Sequence, residues 1–371
     1  MKILADQNIP FAVEAFSQFG EVELFSGRDL THDDVQAAEI LFVRSVTQVN
    51  QSLLQGTPVK FVGSATIGTD HIDLDYLAQH SIGFANAPGS NATSASEYVL
   101  AALFYYTAQT GSDFKSKTVG IVGYGNVGSR VANLLRALGI TLKIYDPPKQ
   151  AEENNKQIYC DWQAILDCDI VTAHVPLTRT GPCPTYHMFN SEFFSALKKH
   201  ALFINTSRGK AVDEQALLAR IETGKPITLI LDVWDNEPAI SKTLLQQTLI
   251  ATPHIAGYAY DGKLRGTEMI LHAACEFFNM LPDWSADAAL GGDQHTLLTE
   301  NQLDKVVSTA YNIIDDDKAL RKIIEMDAAQ SAMHFDALRK NYPQRREFSH
   351  YRLKSVPDAD QLKFKKLGFT I

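Results

Sequence analysis

No apolar run in the 371-residue chain approaches the ~20 residues needed to span a bilayer, which argues against a helical membrane protein. The opening residues, Met1-Lys2-Ile3-Leu4-Ala5-Asp6-Gln7-Asn8, turn polar after a few positions, so a cytoplasmic protein is expected. Cysteine is scarce: Cys160, Cys168, Cys183 and Cys275 form no C-x-x-C and stand in no His/Cys metal spacing. That excludes a disulfide scaffold and leaves no metal site to propose. Cys183, between Pro182 and Pro184, sits in a loop-like stretch, with nothing to mark it as reactive. An excess of basic residues is also missing, since 34 Lys and Arg face 43 Asp and Glu for a net charge of −9. A general nucleic-acid role is disfavoured. No internal repeat or low-complexity block appears. What remains is a chain with 45% hydrophobic and 21% charged residues, an ordinary globular balance, long enough for two or three domains.

Short apolar runs alternate with helical or polar segments from the start: Met1–Ala5, Pro10–Phe19, Glu21–Phe25, Ile40–Val43 and Val59–Gly63. This is the rhythm of βαβ units. The chain turns at Pro88-Gly89-Ser90-Asn91, and Ala92–Ala108 reads as a long apolar helix. A second series follows, with strands expected at Thr118–Val122, Leu142–Tyr145, Ile170–His174, Leu202–Asn205, Ile227–Asp232 and Leu249–Thr252. A helix over Met269–Phe278 returns to the first domain. Beyond Gly291-Gly292 the tail is richer in charge. The expected fold is α/β: two Rossmann-like doubly wound domains separated by a cleft, plus a small C-terminal α+β domain. The divisions fall at 1–92 with 258–284, at 93–257 and at 285–371.

A G-x-G-x-x-G pattern closes the first strand of the second series, at Gly123, Gly125 and Gly128. Gly123 permits the turn, Gly125 lets backbone approach a pyrophosphate, and Gly128 lets helix and strand pack closely. The helix behind it puts Val127, Val131, Leu134, Leu135 and Leu138 on one face and turns its positive end toward the pyrophosphate. The next strand ends at Asp146, where a carboxylate would accept from a ribose diol and repel a 2′-phosphate, favouring NAD over NADP. An exposed aspartate is the plain alternative.

Three later strand ends each deliver a polar residue. Asn205-Thr206-Ser207-Arg208-Gly209 supplies Arg208, whose guanidinium holds a carboxylate through two parallel hydrogen bonds; a structural salt bridge is the alternative. Asp232-Val233-Trp234-Asp235-Asn236-Glu237-Pro238 supplies a carboxylate, and Thr252-Pro253-His254-Ile255-Ala256-Gly257-Tyr258 an imidazole. Oxidising an alcohol requires a base for the hydroxyl proton, which a neutral histidine provides, and a glutamate on its other nitrogen would orient it and stabilise its protonated form. Separately, Glu237 reads as a loop acid and His254 as a core histidine. Asp232 is a candidate to meet the nicotinamide amide.

From Gly63 to Gly257 the ordered motifs resemble the D-isomer-specific 2-hydroxyacid dehydrogenases: Ser64-Ala65-Thr66-Ile67-Gly68-Thr69-Asp70-His71-Ile72-Asp73, Asn86-Ala87-Pro88-Gly89-Ser90-Asn91, His174-Val175-Pro176-Leu177-Thr178, and the segments around Arg208, Glu237 and His254. The resemblance implies that Arg208 binds substrate, Glu237 supports the base and His254 transfers the proton. It places NAD against Gly123, Gly125, Asn126, Val127, Gly128, Asp146, Val175, Thr206, Ser207, Arg208, Asp232 and Gly257. It places substrate against Arg44, Ser45, the backbone of Thr66, Ile67 and Gly68, and Tyr258. The first domain becomes a flavodoxin-like substrate-binding domain, the second the NAD-binding domain, and the third a means of forming a homodimer. Val43-Arg44-Ser45-Val46-Thr47, Gly257-Tyr258 and the C-terminal extension look most like a branch acting on a small phosphorylated hydroxy acid, and Arg345 and Arg346 in the tail are candidate cations for its phosphate, reached across a dimer, with a solvated basic face as the alternative. Pro182-Cys183-Pro184 departs from the usual family form and stiffens a loop. The rivals are a dehydrogenase of 3-phosphoglycerate or another D-2-hydroxyacid, and a non-catalytic NAD-binding regulator.

Overall fold

Runs of Ile, Leu, Val and Phe become the strands of two parallel sheets in the computed structural model, which describes residues 1–153, 156–292 and 294–371. The chain divides into two compact units, Met1–Asn91 with Ala259–Gln294, and Ala92–Tyr258 with His295–Ile371.

The first unit holds β1 (Lys2–Asp6), β2 (Glu21–Phe25), β3 (Ile40–Val43), β4 (Phe61–Ser64) and β5 (Gly83–Asn86) in the order β2-β1-β3-β4-β5, all pairs parallel. All four residues of β3 are buried, as expected of a parallel strand covered on both faces. β5 escaped the sequence reading because its Gly-Phe-Ala-Asn run is short, only half-buried and without alternation. The helix expected at Met269–Phe278 begins earlier, at Tyr260. Its extra turns contain Gly262 and Gly266, both buried, and a Cβ on Gly266 would stand 3.3 Å from the Ala65 carbonyl oxygen. Close packing against that backbone accounts for a glycine that propensity alone disfavours in a helix. Ile270, Leu271 and Ala274 of this helix join Phe16, Phe42 and Phe61 in one core.

The second unit holds β6 (Thr118–Val122), β7 (Thr141–Tyr145), β8 (Ile170–Ala173), β9 (Ala201–Asn205), β10 (Ile227–Leu231) and β11 (Ile250–Ala251), ordered β11-β10-β9-β8-β6-β7 and parallel throughout. The helices Ala92–Thr110 and Asn126–Ala137 contribute Tyr98, Leu103, Val131 and Leu135 to its core. The tail joins this same unit. It is mainly helical, with Leu303–Ala310, Ile313–Arg321, Ala328–Lys340 and Asp358–Lys366, and has one short parallel pair, β12 (Thr296–Leu298) with β13 (Tyr351–Leu353). Val306, Val307, Phe348 and Phe364 are buried in the core that also contains Leu135 and Ile144. Among the described residues no helix is long and apolar enough to cross a membrane.

Candidate active site

Strand order fixes where ligands go. In an open parallel sheet the crevice opens beyond the carboxyl ends of the strands, where successive connections leave in opposite directions; in the second unit that point lies between β6 and β8. The turn after β6 has Gly123 at φ +91°, and a Cβ there would stand 2.5 Å from the His174 carbonyl oxygen. A Cβ on Gly128 would collide with the Gly123 carbonyl. Protein packing therefore accounts for two of the three glycines. Gly125 is different: its φ is −76° and a Cβ would meet nothing within 4 Å. Open space in front of a helix start with no side-chain cap fits a dinucleotide pyrophosphate. Asn126 and Val127 open that helix. Asp146 ends β7 and has both oxygens on backbone donors, Oδ2 on Tyr124 N–H at 2.6 Å and Oδ1 on Lys149 N–H at 3.0 Å. These bonds fix its position beside the glycine turn, and each oxygen retains a lone pair for a hydroxyl.

Beyond β8, Val175 is buried against Gly123. His174, which carried no role in the sequence reading, is hydrogen-bonded to Thr172 Oγ1 at 2.9 Å and Thr206 Oγ1 at 3.2 Å. Burial pushes its pKa down to about 3, so it is a neutral strut between two strands and no proton acceptor. After β9, the Asn205 carboxamide accepts from Ser207 N–H and Oγ and donates to the Arg208 carbonyl at 3.1 Å. This ties the turn that presents Arg208, and Arg208 Nη1 donates to the Ser207 carbonyl at 2.8 Å.

The loops after β10 and β11 bring Glu237 and His254 together: Nδ1 donates to Oε2 at 2.7 Å. Since an ionised carboxylate only accepts, Nδ1 carries the hydrogen and Nε2 is left as the acceptor. Burial pushes Glu237 up, but the facing His254, their hydrogen bond, the Arg339 cation and the Trp234 N–H outweigh it and hold the carboxyl below its usual range. His254 itself adopts φ +58°, a left-handed backbone that a residue with a Cβ takes only when its surroundings compel it. The compulsion is visible. Asp232, 1% exposed, accepts from Thr252 Oγ1 and Ile255 N–H at 2.7 Å through Oδ1, and from Ala256 N–H at 3.0 Å through Oδ2, while its own carbonyl accepts from His254 N–H at 2.7 Å. Burial raises the Asp232 carboxyl, against His254 and these donors. The side chain expected at the nicotinamide thus also shapes the histidine loop. Tyr258 is half-buried at the end of that loop, beyond Gly257.

In the first unit, Arg44 and the exposed Ser45 follow β3, and Thr66, Ile67 and Gly68 follow β4. The latter loop is held by a chain from His71 Nε2 to Ser64 Oγ (3.0 Å) to Thr66 Oγ1 (2.8 Å), and by Asn86 Nδ2 donating to the Ile67 carbonyl at 2.7 Å.

The tail corrects one expectation. Arg345 is buried: Nη2 donates to the Ala256 carbonyl at 2.9 Å, Nη1 lies 3.9 Å from Glu97, and the guanidinium sits 4.0 Å from the Tyr311 ring centre. A side chain so engaged is no phosphate ligand. Arg346 remains half-buried. Arg339, unnoticed in the sequence, lies with its guanidinium 5.6 Å from the Tyr258 ring centre. No motif marks either arginine, because their partners Tyr311, Tyr258, Ala256 and Glu97 lie tens to hundreds of positions away in the sequence.

The sequence model described as D-isomer specific 2-hydroxyacid dehydrogenase, NAD binding domain, matches residues 90–256, and one for a domain of unknown function matches 292–368. The chain is 44% identical to the erythronate-4-phosphate dehydrogenase of Marinobacter nauticus, with all of both chains covered, and 40% identical to that of Salmonella arizonae, covering 100% of this chain and 98% of the relative. Among solved structures, NAD-bound 3-phosphoglycerate dehydrogenase of Entamoeba histolytica matches with TM-score 0.65 at 24% identity, over 75% of this chain and 95% of that one. The D-lactate dehydrogenase of Aquifex aeolicus matches with TM-score 0.61 at 24% identity, over 75% and 96%. This chain belongs to the D-isomer specific 2-hydroxyacid dehydrogenase family, in the branch formed by the erythronate-4-phosphate dehydrogenases.

Proposed function

We propose that the chain oxidises 4-phospho-D-erythronate with NAD, giving (R)-3-hydroxy-2-oxo-4-phosphooxybutanoate and NADH, as a step of pyridoxine 5′-phosphate (vitamin B6) biosynthesis in the cytoplasm. The observation that carries the chemistry is the 2.7 Å bond from His254 Nδ1 to Glu237. The identity of the full-length relatives supports the substrate.

In this reading Arg208 pairs with the substrate carboxylate through its planar fork, helped by the backbone amides of Thr66, Ile67 and Gly68, and Arg44, Ser45 and Tyr258 contact the rest of the molecule. His254 Nε2 takes the C2 hydroxyl proton as the C–O bond gains double-bond character. NAD, when bound, accepts the C2 hydrogen with its electron pair. Glu237, held ionised, keeps the imidazole in the accepting tautomer and balances the positive charge that develops on it. The dinucleotide is held by Gly123, Gly125, Asn126, Val127 and Gly128 at the helix start, by Asp146 at the ribose, and by Val175, Thr206, Ser207, Asp232 and Gly257 along the strand ends. The C-terminal segment is assigned to a homodimer.

Purified protein should form NADH from 4-phospho-D-erythronate and run as a dimer in light scattering. A protein that binds NADH yet turns over no 2-hydroxyacid would instead be an NAD-responsive regulator.

A further inference from the structure

The loop Pro253–Tyr258 is gripped from two sides. From within the nucleotide-binding sheet, Asp232 accepts its N–H groups. From the other side come residues of the tail, which lie in the segment that the model for a domain of unknown function matches. Arg345 donates to the Ala256 carbonyl, so Ala256 is bonded through its N–H to Asp232 and through its C=O to Arg345. Arg345 is in turn fixed by Glu97, whose Oε1 accepts from Phe348 N–H at 2.7 Å, and by the Tyr311 ring. One residue further along, Tyr258 packs edge-on to Tyr342, with ring centres 5.8 Å apart, and under the Arg339 guanidinium. Tyr342 and Tyr311 both donate to Asp316 Oδ2 at 2.9 Å. Lower down, Asp317 accepts from Ala251 N–H at 2.8 Å, and Arg321 donates to the Thr248 carbonyl at 2.6 Å, bracing β11 itself.

We propose that the C-terminal segment is part of the catalytic apparatus, with Arg345 and Arg339 as positioning residues: Arg345 holds the backbone of the proton-transfer loop, and Arg339 holds Tyr258 and sets the charge around the Glu237–His254 pair. The inference rests on the reading of His254 as the base. The groups acting on the pair include Arg339 from the tail, Asp232 beneath the loop and Glu214 facing Glu237, while Tyr258 acts on Arg339 and Asp235 on Glu214. The carboxylates favour proton uptake by the pair and Arg339 opposes it, so removing the arginine moves the pair's titration to higher pH.

Arg339 is half-buried, which makes Arg339→Met the first variant. Its kcat should fall about tenfold, the cost of a misplaced base, with the acid limb of kcat/KM displaced to higher pH and NADH affinity kept within about twofold. Arg339→Lys should restore the pH profile. A profile and kcat unchanged in Arg339→Met would overturn the assignment. Arg345→Lys should lower kcat with the same retention of NADH binding, and full activity in that folded variant would equally count against it. An NMR titration of the His254 ring, identified by its loss in His254→Asn, needs no substrate: a midpoint that rises in Arg339→Met supports the proposal and an unmoved one rejects it. If the wild-type protein turns over no hydroxy acid while the midpoint moves, the functional reading has failed and the positioning has not.

Discussion

The two loops that matter most are built by opposite means. The turn Gly123–Gly128 is shaped by close backbone contacts: a Cβ on Gly123 would meet the His174 carbonyl and one on Gly128 the Gly123 carbonyl, while Gly125 faces open space. The loop Pro253–Tyr258 contains ordinary residues, one of them in a left-handed conformation, and is shaped by side chains from far along the chain. A residue with a Cβ that must hold a left-handed backbone angle needs support from several directions.

The comparison breaks most readily at the base. His254→Asn should cut turnover by about a thousandfold, within the range of a lost general base, while NADH still quenches or enhances fluorescence on binding; loss of both together would mean that the two loops are not separable. Asp232→Asn keeps the shape but offers one acceptor where the loop needs two. We expect a loss of roughly tenfold or more in kcat and about 1–3 kcal/mol in stability, the cost of leaving buried loop donors unpaired, read by kinetics and by thermal melting. Gly125→Ala should leave the melting temperature unchanged, because its Cβ meets nothing, yet weaken NAD by about tenfold where backbone and pyrophosphate approach each other; Gly128→Ala should damage both. The smallest effect concerns the brace. Burial raises Asp316 to about 6, against the hydrogen bonds of Tyr342 and Tyr311. An acid raised above its unfolded value binds its proton more tightly when folded, so its contribution is complete below about pH 4 and is lost as pH rises through about 6. Asp316→Asn retains an acceptor for both tyrosines and should flatten the stability profile across that window.

This contrast also explains how far the sequence could be read. The inner strands β1, β3, β4, β6, β8, β9 and β10 are legible as apolar runs because they are largely buried, the more exposed edge strands β2 and β7 still carry enough apolar residues to read, and the short, half-buried β5 does not. The glycine turn is legible because the glycine spacing is itself a local pattern, and Glu237 and His254 because each lies in the loop that follows a strand of one sheet. Arg345 reads from the sequence as a candidate phosphate cation or part of a solvated basic face, since nothing near it in the chain announces Glu97, Tyr311 or the Ala256 carbonyl. Arg339 and the strut His174 went unnoticed for the same reason: their roles come from partners that only the fold brings near.

The most direct test is NADH formation by the purified protein with 4-phospho-D-erythronate and 3-phosphoglycerate supplied side by side. The account predicts a strong preference in kcat/KM for the four-carbon substrate. A preference for 3-phosphoglycerate would contradict the assigned substrate while leaving Arg208, Glu237 and His254 their chemistry, and no NADH from either would contradict the enzyme itself.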